Sequence, residues 1–253
     1  MSKEGVKLYF LGTAGSTFTG DNFPPCIFIE GYLLDCPAQC PQALVKYNLL
    51  DPLHTVLLTH LHMDHSLGLY DLAWHLGTVL SQKRLRLYLP AGGKGNIVKA
   101  FEILGGNLAE KLLEFFEVEE VNQGQVSSNL SVVRARHSVP AVGYRLTLGR
   151  VSVCYTGDTA PSEEITEAFK GCDVLIHDST YPPGREEQAV LDGHSTPLQA
   201  AEVAERVGAR VLVLIHLPYA RFGRGVREIY LKVAKEIFPN VIAPEPGEVL
   251  ELR

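Results

Sequence analysis

Short apolar runs separated by polar turns dominate the first half of the chain, and helical spacing of apolar residues becomes common in the second half. Alternating or continuous apolar runs predict β-strands at residues 7–11, 26–30, 32–35, 55–59, 85–89, 132–136, 144–148, 151–156, 173–177, 210–216 and 249–252. Helical periodicity predicts helices at residues 38–48, 66–77, 94–104, 162–170, 197–207 and 225–237. Because strands dominate early and alternate with helices late, we predict a single α+β domain over residues 1–253. Its two mixed sheets face each other, with helices outside.

Composition and charge restrict the class of protein. The chain has 253 residues, of which 46% are hydrophobic and 21% charged, which suits a folded domain with a large core. Its longest aliphatic run, residues 211–215, is far shorter than the roughly 20 residues of a membrane helix. Residues 6–11 are too short for a signal-peptide core, so we expect a cytoplasmic protein without membrane contact. The formal net charge of −6 provides no global attraction for nucleic acid, so any polyanion must be bound locally.

The five cysteines, at positions 26, 36, 40, 154 and 172, are odd in number and contain no CxxC pair. This pattern argues against a disulfide framework and a zinc ribbon, and we expect most of them to be buried thiols. The spacing of Cys36 and Cys40 suits either simple packing or an additional metal pair, and the sequence leaves both roles open.

The segment His60-Leu61-His62-Met63-Asp64-His65 follows an apolar strand and carries four potential metal ligands in six residues. Imidazole and carboxylate together suit zinc, manganese or iron rather than calcium. Four such side chains this close together would repel or desolvate one another without a cation between them. The segment therefore predicts a dinuclear metal site, in preference to a polar loop whose histidines only cap the next helix.

Three later strands also end in residues that bind metals, namely His137, Asp158 and His216. Ligands at the carboxyl ends of neighbouring strands converge on one edge of the sheets, where rigid backbone holds a metal geometry. The combined set supplies seven ligands for two divalent metal ions, with zinc expected and manganese or iron as alternatives.

Six motifs follow one another along the chain: Phe10-Leu11-Gly12-Thr13, Leu33-Leu34-Asp35-Cys36, the segment from Thr59 to His65, Ser66-Leu67-Gly68-Leu69, Gly157-Asp158-Thr159 and Gly193-His194-Ser195-Thr196. In order and type they resemble the metallo-β-lactamase superfamily, and within it the ribonuclease Z branch of tRNA 3′-processing endonucleases. The resemblance covers nearly the whole chain. It implies an αββα four-layer sandwich with a dinuclear, usually zinc, site.

The resemblance also divides the seven ligands between two metals: His60, His62 and His137 for one, Asp64, His65 and His216 for the other, and Asp158 as the bridge. A metal-bridging hydroxide would attack phosphorus in line. Asp64 could orient this nucleophile, and His194 could donate a proton to the leaving alkoxide or stabilise developing charge. The alternative role of His194 is that of a neighbour to the helix start Ser195-Thr196-Pro197. His177 and Asp178 either support a ligand imidazole or are polar residues at a strand boundary.

The chain departs from the ribonuclease Z pattern in two places. The branch carries a long tRNA-gripping arm between its metal-binding histidine and the Gly-Asp-Thr motif, but His137 and Asp158 are only 21 positions apart. The branch also follows its last histidine with a Phe-Ser-x-Arg-Tyr run, and here Arg221 is displaced by one position. The role of Arg221 and the processing of tRNA without the arm stay open.

Three functions compete on this basis. The leading one is a phosphodiesterase of ribonuclease Z type that acts on tRNA, another RNA or a smaller phosphodiester. The second is a metal-dependent hydrolase of a carbon ester, lactone, thioester or sulfate ester, because the fold does not fix the leaving group. The third is a non-catalytic metal- or RNA-binding protein. A homodimer is expected only through the resemblance.

Overall fold

Two mixed sheets form the centre of the protein. The structure, a computed structural model, describes residues 5–80 and 83–252, and all bounds below refer to them. The first sheet has seven strands, in the spatial order β14 (Val249–Leu252), β1 (Val6–Gly12), β2 (Cys26–Ile29), β3 (Tyr32–Leu34), β4 (Thr55–Leu57), β5 (Leu85–Pro90) and β6 (Phe116–Val121). Strands β3 to β6 run parallel to one another, whereas β14, β1, β2 and β3 pair antiparallel.

The second sheet repeats this plan with seven further strands. Their spatial order is β13 (Val241–Ile242), β12 (Val211–Ile215), β11 (Val174–Asp178), β10 (Val151–Tyr155), β9 (Val142–Leu148), β8 (Leu130–Arg134) and β7 (Gly124–Ser127). Strands β10 to β13 are parallel, and β7 to β10 are antiparallel. In each sheet an antiparallel half therefore joins a parallel half whose strands are linked by crossover connections.

Helices cover the outer face of each sheet. The side that packs on the first sheet carries α1 (Cys40–Lys46), α3 (Gly68–Val79), α4 (Lys94–Gly105) and α5 (Ala109–Leu113). The side that packs on the second carries α6 (Glu163–Ala168), α8 (Pro197–Val207), α9 (Tyr219–Phe222) and α10 (Val226–Lys235). The short helices α2 (Met63–Ser66) and α7 (Glu186–Asp192) and a 3₁₀ turn at Gly106–Leu108 complete the set.

Side-chain alternation along the strands builds three hydrophobic layers. In β2, Ile27 and Ile29 point between the sheets, while Cys26 and Phe28 point towards the helices. The run Val211–Ile215 alternates in the same way within β12. Because both faces of these strands are buried, their sequences are continuously apolar rather than alternating with polar residues. The predicted αββα sandwich of two facing mixed sheets is confirmed.

Some elements were not predicted. The edge strand β6 has the sequence Phe-Glu-Val-Glu-Glu-Val, whose acids are mostly exposed and hide the strand pattern. The second edge strand, β7, is short and contains one aliphatic residue, and α5 and α7 have fewer than eight residues each. Among the described helices, none is long and apolar enough to cross a membrane.

Two of the five cysteines form a disulfide, contrary to the prediction from their spacing. Cys26 and Cys40 form a disulfide, with their Cα atoms 6.2 Å apart, because β2 and α1 meet in the layer outside the first sheet. The expectation of an unbridged chain was therefore wrong for this pair. Cys36, Cys154 and Cys172 are free and buried, as expected for most of the five. Since Cys40 is bonded to Cys26, the structure does not support Cys36 and Cys40 as a metal pair.

Candidate metal centre

The predicted ligands lie just beyond the carboxyl ends of strands from both sheets. His60 follows β4 and His137 follows β8, while Asp158 and His216 follow β10 and β12. Since these ends meet at one edge of the sandwich, residues up to 156 positions apart come together. All seven residues predicted as ligands lie in this one cluster. Their assignment as metal ligands stays a prediction.

Three imidazoles form the first group. The Nε2 atom of His60 lies 3.0 Å from Nδ1 of His62, and Nε2 of His137 lies 3.2 Å from the same Nδ1 atom. Ring nitrogens this close must either share a proton or face a common cation. Three convergent imidazole nitrogens match the ligand set that divalent zinc favours.

One carboxylate and two imidazoles form the second group. The Oδ2 atom of Asp64 lies 3.4 Å from Nε2 of His216 and 3.6 Å from Nε2 of His65. The two imidazole rings stack, with centroids 5.3 Å apart. The loop after β1 also contacts this group, because the Ser16 backbone N–H donates to Nε2 of His216 at 3.2 Å.

Asp158 lies between the two groups. Its Oδ2 atom is 3.9 Å from Nε2 of His60, 3.4 Å from Nε2 of His65 and 3.5 Å from Nε2 of His216. The carboxylate is almost fully buried, at 4% exposure of the side chain. A single carboxylate that faces both groups is the arrangement expected of a ligand shared by two cations.

Backbone conformation fixes several of these positions. Gly157 has φ of 60°, and a Cβ atom there would lie 2.6 Å from Cβ of Thr59. Only glycine fits this left-handed position, which explains the glycine of the Gly-Asp-Thr motif. His216 itself has φ of 65°, an uncommon conformation for a residue with a side chain. It is held by the backbone hydrogen bond from its N–H to the Thr13 carbonyl.

Hydrogen bonds from the first sheet orient two of the imidazoles. Nδ1 of His65 lies 2.8 Å from Oδ2 of Asp35, a fully buried carboxylate that also accepts the Tyr155 hydroxyl at 2.7 Å. The Thr59 hydroxyl lies 2.9 Å from the same Oδ2 atom and 3.0 Å from Nδ1 of His60. Asp35 was not predicted to belong to the site, although it stands in a motif that carried the resemblance.

Hydrogen bonds from the second sheet orient two further imidazoles, those of His194 and His216. Nδ1 of His194 lies 2.9 Å from Oδ2 of Asp178, and Nδ1 of His216 lies 2.6 Å from the Thr180 hydroxyl. This hydroxyl is in turn 2.5 Å from Oδ1 of Asp178. The role considered for Asp178 as a support of imidazoles therefore matches its contacts. His177 differs, since its Nδ1 meets only the Asp178 carbonyl oxygen.

The charges of the cluster depend strongly on burial. Burial and the neighbouring His65 lower the pKa of His60 well below its ordinary value. Burial also opposes a charge on His65, but Asp158 and Asp35 outweigh it and hold the His65 pKa well above the ordinary value. Burial opposes the charge of Asp158 as well, yet His216 and His65 keep its pKa well below the usual range. The buried carboxylates thus require a nearby positive charge.

A divalent cation fits this requirement. Nε2 of His65 is buried and has no hydrogen-bond partner among the described residues. Its Nδ1 atom donates to Asp35, so Nε2 is the nitrogen that faces the oxygens of Asp64 and Asp158. The raised pKa favours a proton on Nε2 in the metal-free protein, and a cation shared by this imidazole and the two carboxylates would replace that proton.

His194 lies beside the second group, with its Nδ1 atom 3.9 Å from Oδ2 of Asp158. Burial lowers its pKa, but the adjacent Asp178 carboxylate outweighs burial and raises the pKa to about 9. The ring is therefore protonated at neutral pH. The helix start predicted beside His194 is present as well. The Thr196 side chain caps α8 through a reciprocal pair of hydrogen bonds with Gln199. The two roles of this segment are compatible.

A cleft of about 360 Å³ opens beside His194. Its walls include the loop at Ser16 and the aromatic side chain of Tyr181, together with Arg221 and Phe222 of α9. Arg221 is exposed and its guanidinium lies 5.3 Å from the centre of the Phe222 ring. The cleft thus offers a cation and aromatic surfaces within reach of the cluster.

Comparison with known proteins places this geometry in a family. Residues 33–217 match the family model described as the β-lactamase superfamily domain. The chain belongs to the β-lactamase superfamily. The matched region includes all seven predicted ligands and His194. Family membership, together with the cluster, makes the protein a metal-dependent hydrolase.

Relatives within this superfamily extend over the full chain. Ribonuclease Z of Metallosphaera sedula is 29% identical, with 98% of this chain and 99% of that protein covered. Ribonuclease Z of Methanopyrus kandleri is 28% identical, with both chains fully covered. The first alignment spans 294 positions, 41 more than the 253 residues of this chain. The relative therefore carries residues without a counterpart here, and only β9 and β10 lie between His137 and Asp158.

Solved structures of the superfamily share the fold. The metallo-β-lactamase fold protein YhfI from Bacillus subtilis superimposes with a TM-score of 0.82 at 21% identity, over 98% of this chain and 100% of its own. The short form of human tRNase Z gives a TM-score of 0.77, also at 21% identity, over 98% and 99% of the two chains. At 21% sequence identity, these two superpositions show a shared fold and nothing further.

Proposed function

We propose that the protein is a dinuclear metal-dependent phosphodiesterase of ribonuclease Z type that hydrolyses an RNA phosphodiester. The observation that carries the proposal is the cluster itself, in which two groups of three ligands share the buried Asp158 carboxylate beside the protonated His194. The full-length similarity to proteins named ribonuclease Z supports RNA as the substrate class.

In this proposal His60, His62 and His137 hold one cation, Asp64, His65 and His216 hold the other, and Asp158 contacts both. Zinc is the metal that the imidazole-rich set favours. When bound, such cations would lower the pKa of a coordinated water molecule to near neutrality and neutralise charge on the phosphodiester oxygens.

The side chains divide the remaining work between them. Asp64 is the least buried of the carboxylates, at 22% exposure, and orients the attacking water by accepting its proton. His194 uses Nδ1 to bind Asp178, which leaves Nε2 as the nitrogen that donates a proton to the leaving alkoxide. Because the His194 pKa is about 9, the acid form predominates at neutral pH.

The cleft supports a nucleic acid strand rather than a compact ester. Arg221 offers a local positive charge to a phosphate on a chain whose net charge is −6. Tyr181 and Phe222 present aromatic faces on which unpaired bases can stack. These contacts are local, as expected for a protein that lacks both a basic surface field and the tRNA-gripping arm.

The test is turnover of bis(p-nitrophenyl) phosphate by apo-protein loaded with two equivalents of zinc or manganese. We expect turnover to vanish in His60→Ala, and to fall about 10²- to 10⁴-fold in His194→Ala through loss of the proton donor. His75→Ala, which alters a histidine on α3 outside the cluster, serves as the matched control and should retain full activity.

Absence of phosphodiester turnover in a protein that binds both metals would contradict the proposal. If the same preparation hydrolyses a carbon ester, lactone, thioester or sulfate ester, the second interpretation of the sequence replaces the first. Salt-sensitive RNA binding without cleavage would favour the non-catalytic interpretation.

A further inference from the structure

Two pairs of an aspartate and a threonine, one from each sheet, repeat the same contacts. In the first pair the Asp35 carboxylate accepts the backbone N–H of Thr59 at 2.7 Å and its hydroxyl at 2.9 Å. In the second, the Asp178 carboxylate accepts the backbone N–H of Thr180 at 2.9 Å and its hydroxyl at 2.5 Å. Asp35 follows β3 and Asp178 ends β11, so each sheet contributes one pair at the ligand-bearing edge.

Each carboxylate also holds one histidine directly. Asp35 accepts from Nδ1 of His65 at 2.8 Å, and Asp178 accepts from Nδ1 of His194 at 2.9 Å. An ionised carboxylate can only accept hydrogen bonds, so the proton in both contacts belongs to the imidazole. Nε2 is then the nitrogen of each ring that is directed away from the carboxylate.

Each threonine extends this constraint to a second histidine. Since the threonine hydroxyl gives its proton to the carboxylate, its oxygen can only accept from a neighbouring ring. Nδ1 of His60 lies 3.0 Å from the Thr59 oxygen, and Nδ1 of His216 lies 2.6 Å from the Thr180 oxygen. Both rings must therefore carry their proton on Nδ1. Nε2 of His60 is then the acceptor nitrogen that faces His62, and Nε2 of His216 is the acceptor nitrogen that faces Asp64 and takes the Ser16 backbone N–H.

We propose that Asp35–Thr59 and Asp178–Thr180 are two relays that fix the tautomers of four histidines, and that Thr59 and Thr180 are positioning residues for separate metals. The inference rests on the metal assignment of the proposed function. With the opposite tautomer, Nε2 would point a proton at the cation and could not bind it. Thr59 acts through His60 on one metal, whereas Thr180 acts through His216 on the other.

The relays also predict which residues are coupled. Asp35 contacts His65 directly and His60 through threonine, so it links one ligand from each group. Asp178 links the ligand His216 to the proton donor His194. Loss of a threonine hydroxyl should therefore weaken the binding of one metal ion, whereas loss of the Asp35 carboxylate should weaken the binding of both.

The experiment is zinc titration of apo-protein against a competing chelator, combined with ¹⁵N NMR of the imidazole nitrogens. We expect Thr59→Val and Thr180→Val each to weaken one of two binding events about 10- to 100-fold, with different events affected and both affected in the double variant. Thr59→Ser and Thr180→Ser keep the hydroxyl and should restore affinity. Thr166→Val removes a hydroxyl about as buried as that of Thr59, one that donates to the Ser162 carbonyl at the start of α6, and it should leave both events unchanged.

The proposal of two relays would be overturned if both valine variants bound zinc with wild-type affinity, or if neither serine variant restored that affinity. The same holds if Thr166→Val weakens zinc binding equally, because the effect would then reflect general destabilisation. Phosphodiesterase activity does not enter this readout. A wild-type protein that binds two metals with the expected variant pattern but cleaves no phosphodiester would contradict the proposed function and leave the relays supported.

Discussion

The contact between His194 and Asp178 sets the pH range over which the proposed proton donor works. Burial lowers the His194 pKa, but the carboxylate 2.9 Å away outweighs burial and raises it to about 9. The acid form therefore persists up to about pH 9 and is lost above it. In Asp178→Asn this carboxylate charge disappears while burial and the attraction of Asp158 remain, and the pKa should fall towards the ordinary value of about 6.5.

The magnitude follows from the protonated fraction. At pH 8 a group with a pKa of about 9 is roughly nine-tenths protonated, whereas one with a pKa of about 6.5 is roughly 3% protonated. Asp178→Asn should therefore reduce turnover at pH 8 by up to about 30-fold. Near pH 5.5 both forms are mostly protonated if the variant pKa is about 6.5, so the ratio of wild-type to variant rates, each expressed per protein that holds two metal ions, should approach its smallest value.

The assay is the rate of aryl phosphodiester hydrolysis between pH 5.5 and 9.5, with metal content measured for each sample. Taking the ratio of rates cancels the ionisation of the attacking water, which both proteins share. A loss that is equal at every pH would refute the reasoning, because Asp178 would then act without changing the His194 pKa. The control is Asp192→Asn, which removes an exposed carboxylate that accepts a hydrogen bond from Tyr181. The ratio of wild-type to Asp192→Asn rates should not change with pH.

Three further outcomes follow from the geometry. Gly157→Ala would place a Cβ atom 2.6 Å from Cβ of Thr59 at a φ of 60°, so urea unfolding should show a loss of about 1–3 kcal/mol; unchanged stability would contradict the packing argument. His65→Ala should reduce the metal content from two ions to one, and two retained ions would exclude His65 as a ligand. Arg221→Ala should raise KM about tenfold for an RNA strand but not for a small aryl diester, which corresponds to about 1.4 kcal/mol; equal effects on both would exclude a contact with the strand.

The sequence predicted which histidines and aspartates come together because they stand next to recognisable strands. His60 to His65 are contiguous, and Asp158 and His216 each follow an apolar run that could form only a buried strand. The convergence of strand ends at one sheet edge is a general property of such folds, and it brought these positions together. The fold followed from the same alternation, with the resemblance supplying the order of layers.

The supporting residues were harder to predict because their partners are distant or ambiguous in sequence. Asp35 and Thr59 are 24 positions apart and meet because β3 and β4 pair in parallel, which no local pattern specifies. Thr180 follows a strand as an ordinary polar residue, and only its contact with His216 distinguishes it. The pairing of Cys26 with Cys40 likewise depends on how α1 packs against β2.

The central claim is that this cluster cleaves an RNA phosphodiester, and cleavage of a 3′-extended precursor tRNA by the metal-loaded protein tests it most directly. We expect discrete cleavage at the 3′ boundary of the tRNA that requires metal, disappears in His60→Ala and weakens in His194→Ala. Cleavage of the aryl diester alone would contradict RNA as the substrate and restrict the activity to smaller phosphodiesters. An intact precursor and an intact aryl diester, in a protein that holds two metal ions, would contradict the account.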